Sequence, residues 1–142
     1  MSTREIFEQG TAAWNAHDLE RFGELIADDV AFAAPGGLQG HGRAACLEFY
    51  GGWLDAFPDA HVDVAEVHVI SDVVIERGTF TGTHHGVLRT PAGEVLPTGR
   101  PVALDYVHVL RIARGRHVSF DLMFDRLALL EQLGLAEAPL AP

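Results

Sequence analysis

The chain has 142 residues, of which 48% are hydrophobic and 21% charged, and its net charge is −10 at pH 7. These values predict one globular domain over residues 1–142, and the negative charge disfavours nucleic acid and anionic membrane surfaces as partners. Cys46 is the only cysteine, which excludes an internal disulfide and a thiolate metal site. The sequence shows neither a secretory signal nor an apolar run of membrane-spanning length, so we expect a cytoplasmic protein.

The first part of the chain predicts three helices and one short strand. Ser2 begins a capping box that opens a helix to about Ala16, and Asp18 has the character of a cap for a second helix. The stretch DDVAFAAPGG predicts a short strand that ends at its proline. A third helix is expected at about residues 43–56.

The second part of the chain changes to the two-residue period of strands. The stretch GVLRTPAGEVLPTGR predicts a small hairpin that can sit over a pocket mouth. Asp125 caps a final helix, for which Gly134 is the stop signal. Helices followed by antiparallel strands indicate an α+β fold with helices on one face of a curved sheet. Four strands rich in β-branched and aromatic residues are expected at about residues 61–70, 73–83, 102–113 and 116–124.

The strand segment LDYVHVLRI, residues 104–112, contains a histidine where a buried apolar residue is expected. His108 is the one ionisable residue on its row, and burying it without a partner costs a few kcal/mol. It therefore has a partner or lines a cavity. The opposite row carries Ala103, Val107 and Val109, so this face is expected to be covered too, most simply by a second subunit in a homodimer. The row of the histidine is Val102, Leu104, Tyr106, His108, Leu110 and Ile112.

Short segments in order along the chain carry a resemblance to a known family. They are AAWNAHDLERF, LIADDVAF, AFPDAHV, FTGTHHG, PTGR, YVHVLRI and LLEQLG, between about Glu5 and Leu135. Together they resemble the SnoaL-like polyketide cyclases of the nuclear-transport-factor-2-like superfamily. The resemblance implies a cone, a curved antiparallel sheet wrapped around the N-terminal helices. It also implies a pocket closed by the helices, no cofactor, and ring closure by intramolecular aldol addition.

The same resemblance implies roles for individual residues. His108 matches a cyclase histidine three residues before an arginine, Trp14 matches an aromatic position near the end of the first helix, and His84 matches a position near the pocket entrance. The cyclases also use an aspartate of the last strand as general acid and base. That position holds Leu122 here, and Asp121 is one residue out of register, so only a bulge would bring its carboxylate to the pocket.

The positions of the further candidate site residues can be explained by packing as well as by function. Glu76 shares a strand row with Phe80, but the pattern leaves open which row turns inward. Adjacent histidines at 84 and 85 are a weak metal signal, so no metal is expected. Histidines at the ends of elements are expected in solvent, namely His17, His41, His61 and His117. The remaining candidate substrate-binding residues are Tyr50, Trp53, Tyr106, Phe120, Leu122 and Phe124.

With this resemblance, we expect a cofactor-independent enzyme of the polyketide cyclase type that acts by acid–base chemistry on an apolar, carbonyl-containing small molecule. Its predicted catalytic residues are His108 and Asp121. The alternative is a non-catalytic small-molecule binding protein on the same fold, which Leu122 favours. A hydrolase, dehydratase or isomerase relative is less well supported, because no inward carboxylate pair is evident. A ketosteroid isomerase in particular needs a carboxylate where this chain reads Ala33-Ala34-Pro35.

Overall fold

The computed structural model describes residues 1–137 of the chain. Most predicted elements agree with the structure to within a few residues, and strand β2 is the element that the sequence pattern does not predict. The helices are α1 (Thr3–Asn15), α2 (Leu19–Glu24), α3 (Arg43–Ala56) and α4 (Arg126–Gln132). The strands are β1 (Ile26–Ala34), β2 (Leu38–His41), β3 (His61–Ile70), β4 (Val73–Thr83), β5 (Leu88–Thr90), β6 (Gly93–Val95), β7 (Pro101–Ala113) and β8 (Arg116–Phe124).

One curved, unclosed sheet of six strands and one hairpin account for the strands of residues 1–137. The order in the large sheet is β2-β1-β8-β7-β4-β3, and every neighbouring pair is antiparallel except β1 with β8, which is parallel. Helix α1 contacts β3, β4, β7 and β8, so it lies across the inner face of the sheet. The architecture confirms the predicted α+β cone, with one parallel pair in a sheet that was expected to be antiparallel throughout.

Helix ends follow the predicted caps. The Ser2 hydroxyl accepts a hydrogen bond from the backbone N–H of Glu5 at 3.1 Å. Asp18 and Asp125 likewise cap α2 and α4 by accepting from backbone N–H groups three residues on. None of the helices within residues 1–137 combines the length and the apolar character needed to cross a bilayer.

The pairing of β4 with β7 sets which polar residues meet on the inner face. The register is regular over the whole pair and places Glu76 directly opposite His108 and Gly78 opposite Tyr106. Directly opposed residues of an antiparallel pair project to the same side of the sheet with their Cβ atoms about 5 Å apart. The row that contains Glu76 therefore turns inward, which the sequence pattern left open.

A bulge in β8 changes the alternation of that strand. Arg111 pairs with Ser119 and Ile112 pairs with His117, so Val118 is an extra residue without an opposite number on β7. The extra residue reverses the inward and outward order on its N-terminal side. His117 consequently faces the core, where it is only 2% exposed.

The outer face of the sheet retains an apolar area. Val107 and Val109 on β7 are half-buried, and Met123 on β8, opposite Val107, is 47% exposed. Apolar residues on the outer face of an antiparallel sheet are typical of an interface. The predicted homodimer would use this face.

We predict that Val109→Asp weakens this dimer, because it buries an unpaired carboxylate in the proposed interface. Light scattering after size-exclusion chromatography should give about twice the chain mass of 15.4 kDa for the wild type and a lower mass for the variant. Leu127→Asp, at a 54% exposed leucine of α4, is the matched control and should leave the mass unchanged. A monomeric wild type at micromolar concentration contradicts the prediction.

Candidate active site

A cavity of about 100 Å³ lies between the helices and the inner face of the sheet. Its walls come from α1, α2 and α3 on one side and from β3, β4, β7 and β8 on the other. Most of the lining is aliphatic or aromatic, so each polar group in it stands out. The polar lining residues are Thr11, Tyr50, Glu76, Tyr106, His108 and His117.

Glu76 and His108 form a buried pair at the centre of this lining. They are 4% and 9% exposed, and Glu76 Oε1 lies 2.9 Å from His108 Nδ1. A carboxylate only accepts hydrogen bonds, so Nδ1 carries the proton of this contact. In the neutral imidazole, Nε2 is then the unprotonated nitrogen, and its lone pair points away from Glu76.

Tyr50 extends the pair to a third group. Its hydroxyl lies 2.8 Å from His108 Nε2, and it donates to the bare nitrogen of the neutral ring. The carboxylate, imidazole and hydroxyl thus form a chain in which the carboxylate fixes the tautomer of the ring, as in hydrolase triads. Helix α3 holds Tyr50 in place, and Trp14 Nε1–H on α1 donates to the Tyr50 carbonyl oxygen at 3.3 Å.

Tyr106 satisfies the second oxygen of the carboxylate. Its hydroxyl donates to Glu76 Oε2 at 3.1 Å. The close approach needs a glycine on the neighbouring strand, because a Cβ atom at Gly78 would lie 2.7 Å from the Tyr106 hydroxyl oxygen. Both carboxylate oxygens therefore accept from a protein donor, which is what a buried carboxylate requires.

Burial keeps both phenols neutral. The pKa of Tyr50 is raised well above its usual value, mainly by desolvation and further by neighbouring acidic groups that include Glu76. The pKa of Tyr106 is also raised, by burial first and then by Glu76. Both tyrosines are consequently hydrogen-bond donors to the Glu76–His108 pair rather than standing phenolates.

Most predicted substrate-binding residues do line the cavity. Around Tyr50, the ring of Phe120 lies 5.1 Å away and that of Phe22 lies 5.9 Å away, measured between centroids. These rings surround the hydroxyl and the imidazole with apolar groups. Of the residues predicted from the sequence, the structure brings together Trp14, Tyr50, Trp53, Tyr106, His108, Phe120, Leu122 and Phe124.

The prediction of Asp121 as a catalytic residue is not met by the structure. Asp121 is exposed and pairs with Val109, whose row faces outward, whereas Leu122 pairs with His108 and lines the cavity. A bulge does exist in β8, but it lies at Val118, before Asp121, and so leaves the later alternation unchanged. The inward carboxylate comes from β4 instead.

His84 is buried but lies away from the cavity, against its predicted substrate-binding place. Its Nδ1 accepts a hydrogen bond from the backbone N–H of Thr98 at 3.1 Å, and its ring lies 5.4 Å from that of Phe57. The residue thus anchors the segment that carries the β5–β6 hairpin. None of residues 86–100, all of which are described, lines the cavity, so the hairpin contributes no side chain to the cavity wall.

Two cavity residues were missed or misplaced by the sequence pattern. Glu76 could have been found by pairing the two long strands residue by residue, because the register puts it opposite His108. His117 was expected in solvent, but the bulge at Val118 turns it inward, and a bulge of this kind leaves no clear mark in the sequence. No cluster of three His, Cys, Asp or Glu side chains suited to a metal ion occurs within residues 1–137.

Comparisons with known proteins agree with the fold. The family model for the SnoaL-like polyketide cyclases matches residues 5–133. AclR from Streptomyces galilaeus, a proposed hydroxylase, is 27% identical with a TM-score of 0.80, over 96% of this chain and 83% of that one. IdmH from Streptomyces antibioticus, a proposed polyketide cyclase, is 28% identical with a TM-score of 0.77, over 94% and 99%.

A third structure shows the fold alone. A protein from Catenulispora acidiphila with a ketosteroid isomerase-like fold is 21% identical, with a TM-score of 0.76 over 97% of this chain and 100% of that one. Among proteins with curated descriptions, none matches the sequence.

We predict that Glu76→Ala lowers the free energy of unfolding by about 3 kcal/mol, because two buried donors, on His108 and Tyr106, lose their acceptor. Urea denaturation measures the change. Glu66→Ala is the matched control, since Glu66 also accepts from a histidine, His68, at 2.7 Å, but on the exposed surface. Its stability should hardly change. Equal losses in the two variants would contradict the buried network.

Proposed function

The chain belongs to the SnoaL-like polyketide cyclase family, and from this premise we propose that it closes a ring in a carbonyl-rich, apolar substrate by cofactor-independent intramolecular aldol addition. The observation that supports the proposal best is the chain Glu76–His108–Tyr50, which reaches from a buried carboxylate to a neutral hydroxyl in an apolar cavity. This arrangement can accept a proton from carbon and return it to oxygen, which is all that an aldol addition asks of a protein.

The first step is removal of a proton from the carbon that becomes the nucleophile. Carbonyl groups on both sides of this carbon acidify it, so that a histidine is a strong enough base. We propose that the Tyr50 oxygen takes the carbon proton while the Tyr50 proton moves to His108 Nε2. The products are an enolate and an imidazolium, and no phenolate accumulates, consistent with the raised pKa of Tyr50.

Glu76 makes this proton uptake favourable. With Glu76 ionised and His108 neutral, the buried network carries one negative charge, and protonation of Nε2 brings its net charge to zero. In an apolar surrounding, the adjacent carboxylate stabilises the imidazolium as it forms. The developing positive charge on the ring is thus compensated at a contact of 2.9 Å.

The second step forms the carbon–carbon bond and returns the proton. The enolate carbon attacks a ketone or aldehyde carbon of the same molecule, and the carbonyl oxygen becomes an alkoxide. The Tyr50 hydroxyl donates its proton to this oxygen, and Nε2 returns its proton to Tyr50. Neutral His108 and Tyr50 are regenerated, and the product is a cyclic alcohol with the atoms of the substrate.

The cavity has room for no more than the reacting end of the substrate. An apolar cavity of about 150 Å³ binds benzene, so a space of about 100 Å³ is filled by less than one aromatic ring unless its lining shifts. The rest of a polyketide would then extend towards the opening of the cone.

We also propose that the protein works in the cytoplasm.

A non-catalytic binding protein is the second candidate function. The observation that favours it is Leu122, which occupies the cavity wall at the place where the cyclases have an acid–base aspartate. The third idea, a hydrolase or dehydratase with two carboxylates, receives less support, because Glu76 is the one carboxylate among the described lining residues.

We predict that Tyr50→Phe lowers kcat by at least about 100-fold, because it removes the group that exchanges protons with the substrate. The assay is conversion of an aklanonate-type polyketide ester, followed by chromatography. Tyr106→Phe is the matched control, because it removes a phenolic hydroxyl that contacts Glu76 rather than His108 Nε2. The Tyr106→Phe variant should lower kcat by less than about tenfold. Tight binding by the wild type without turnover would favour the binding protein.

A further inference from the structure

His117 is a buried polar residue that the proposed mechanism does not use. It is 2% exposed, it lines the cavity, and neither of its ring nitrogens has a hydrogen-bond partner within residues 1–137. The other cavity histidine, His108, has partners on both nitrogens. Buried polar atoms without partners are rare in folded proteins, and each costs free energy that an apolar side chain would save.

The ring of His117 packs between Phe120 and helix α1. It stacks on Phe120 at 4.8 Å between centroids with an interplanar angle of 21°. On α1, Gly10 opposes it, and a Cβ atom at this position would lie 3.0 Å from His117 Nε2. Glycine is a poor helix former compared with alanine, yet it occupies the interior of α1 here. The glycine therefore lets the ring approach α1 closely, and both Gly10 and His117 line the cavity.

The charge state of His117 defines what it can bind. Burial, together with repulsion from His108, lowers the pKa of His117 to about 3, so the ring is neutral near pH 7. A neutral imidazole offers one donor and one acceptor. None of the described lining residues is a lysine or arginine, so a ligand carboxylate would find no cation in this cavity.

We infer that His117, beside Gly10 in the cavity wall, is a second ligand-binding subsite, which exchanges a hydrogen bond with an uncharged hydroxyl or carbonyl group of the substrate. The inference rests on the proposed function, because it takes the cavity to bind an apolar, oxygenated ring. The inference adds that the substrate ring carries a second uncharged oxygen-containing group, besides the oxygen that contacts Tyr50. His117 is a specificity residue in this account, and the proton transfers do not involve it.

Binding of small aromatic probes separates the two subsites. The probes are benzene, phenol and the three dihydroxybenzenes, handled without oxygen, and their Kd values come from NMR titration of the labelled protein. The first hydroxyl reports on Tyr50 and His108, so phenol should bind about tenfold more tightly than benzene, and Tyr50→Phe should abolish this gain. The second hydroxyl reports on His117, so at least one dihydroxybenzene should bind about tenfold more tightly than phenol.

Three variants test the assignment of the second gain. His117→Leu removes both nitrogens at similar volume and should abolish the gain, whereas His117→Gln retains a donor and an acceptor and should keep part of it. Gly10→Ala should reduce the gain, because its Cβ atom would lie 3.0 Å from Nε2 and crowd a ligand at this nitrogen. His117→Leu should also raise the Tm, since it removes a buried polar group without partners.

Opposite results overturn the inference. If no dihydroxybenzene binds better than phenol to the wild type, or if the second gain survives His117→Leu, then His117 does not contact the ligand. A lower Tm or failure to fold in His117→Leu would assign the ring a packing role instead. A different result would count against the proposed function alone. In that case phenol would still bind more tightly than benzene to Tyr50→Phe, while the further gain from the second hydroxyl would still depend on His117.

Discussion

The site depends on one buried contact, the hydrogen bond between Glu76 and His108 across strands β4 and β7. An ionisable pair in an apolar cavity is costly unless its remaining polar atoms are also satisfied. Here Tyr106 takes the second carboxylate oxygen and Tyr50 takes the second ring nitrogen. The proposed chemistry follows from this constraint, because the carboxylate fixes the ring tautomer and leaves the unprotonated nitrogen facing a phenol.

The position of the carboxylate differs from what the family resemblance implied. In the cyclases that this chain resembles, the last strand supplies an acid–base aspartate, whereas here Leu122 stands at that place and Asp121 lies on the outer face. Glu76 lies across the cavity wall, two strands away from β8 in the sheet order. The carboxylate does not reach the substrate directly in our account, and it acts by holding and charging His108.

Much of the fold could be predicted from the sequence, since the two-residue period marks β3, β4, β7 and β8 almost to the residue. The period also places His108 correctly, because a single polar residue interrupts an otherwise apolar row. It could not orient Glu76, because both rows of β4 are mixed and only pairing with β7 decides between them. It misplaced His117, since one extra residue at Val118 reverses the alternation. Local periodicity thus predicts strands well, whereas the polar contacts within the site depend on register between strands.

The most direct test of the account is the protonation of the His108 ring, observed by nitrogen-15 NMR of the histidine side chains near neutral pH. We expect a proton on Nδ1 that exchanges slowly with water and is bonded to Glu76, and this signal should shift when Glu76 is replaced by glutamine. A ring that carries its proton on Nε2 alone, with Nδ1 bare, would contradict the carboxylate–imidazole–phenol chain.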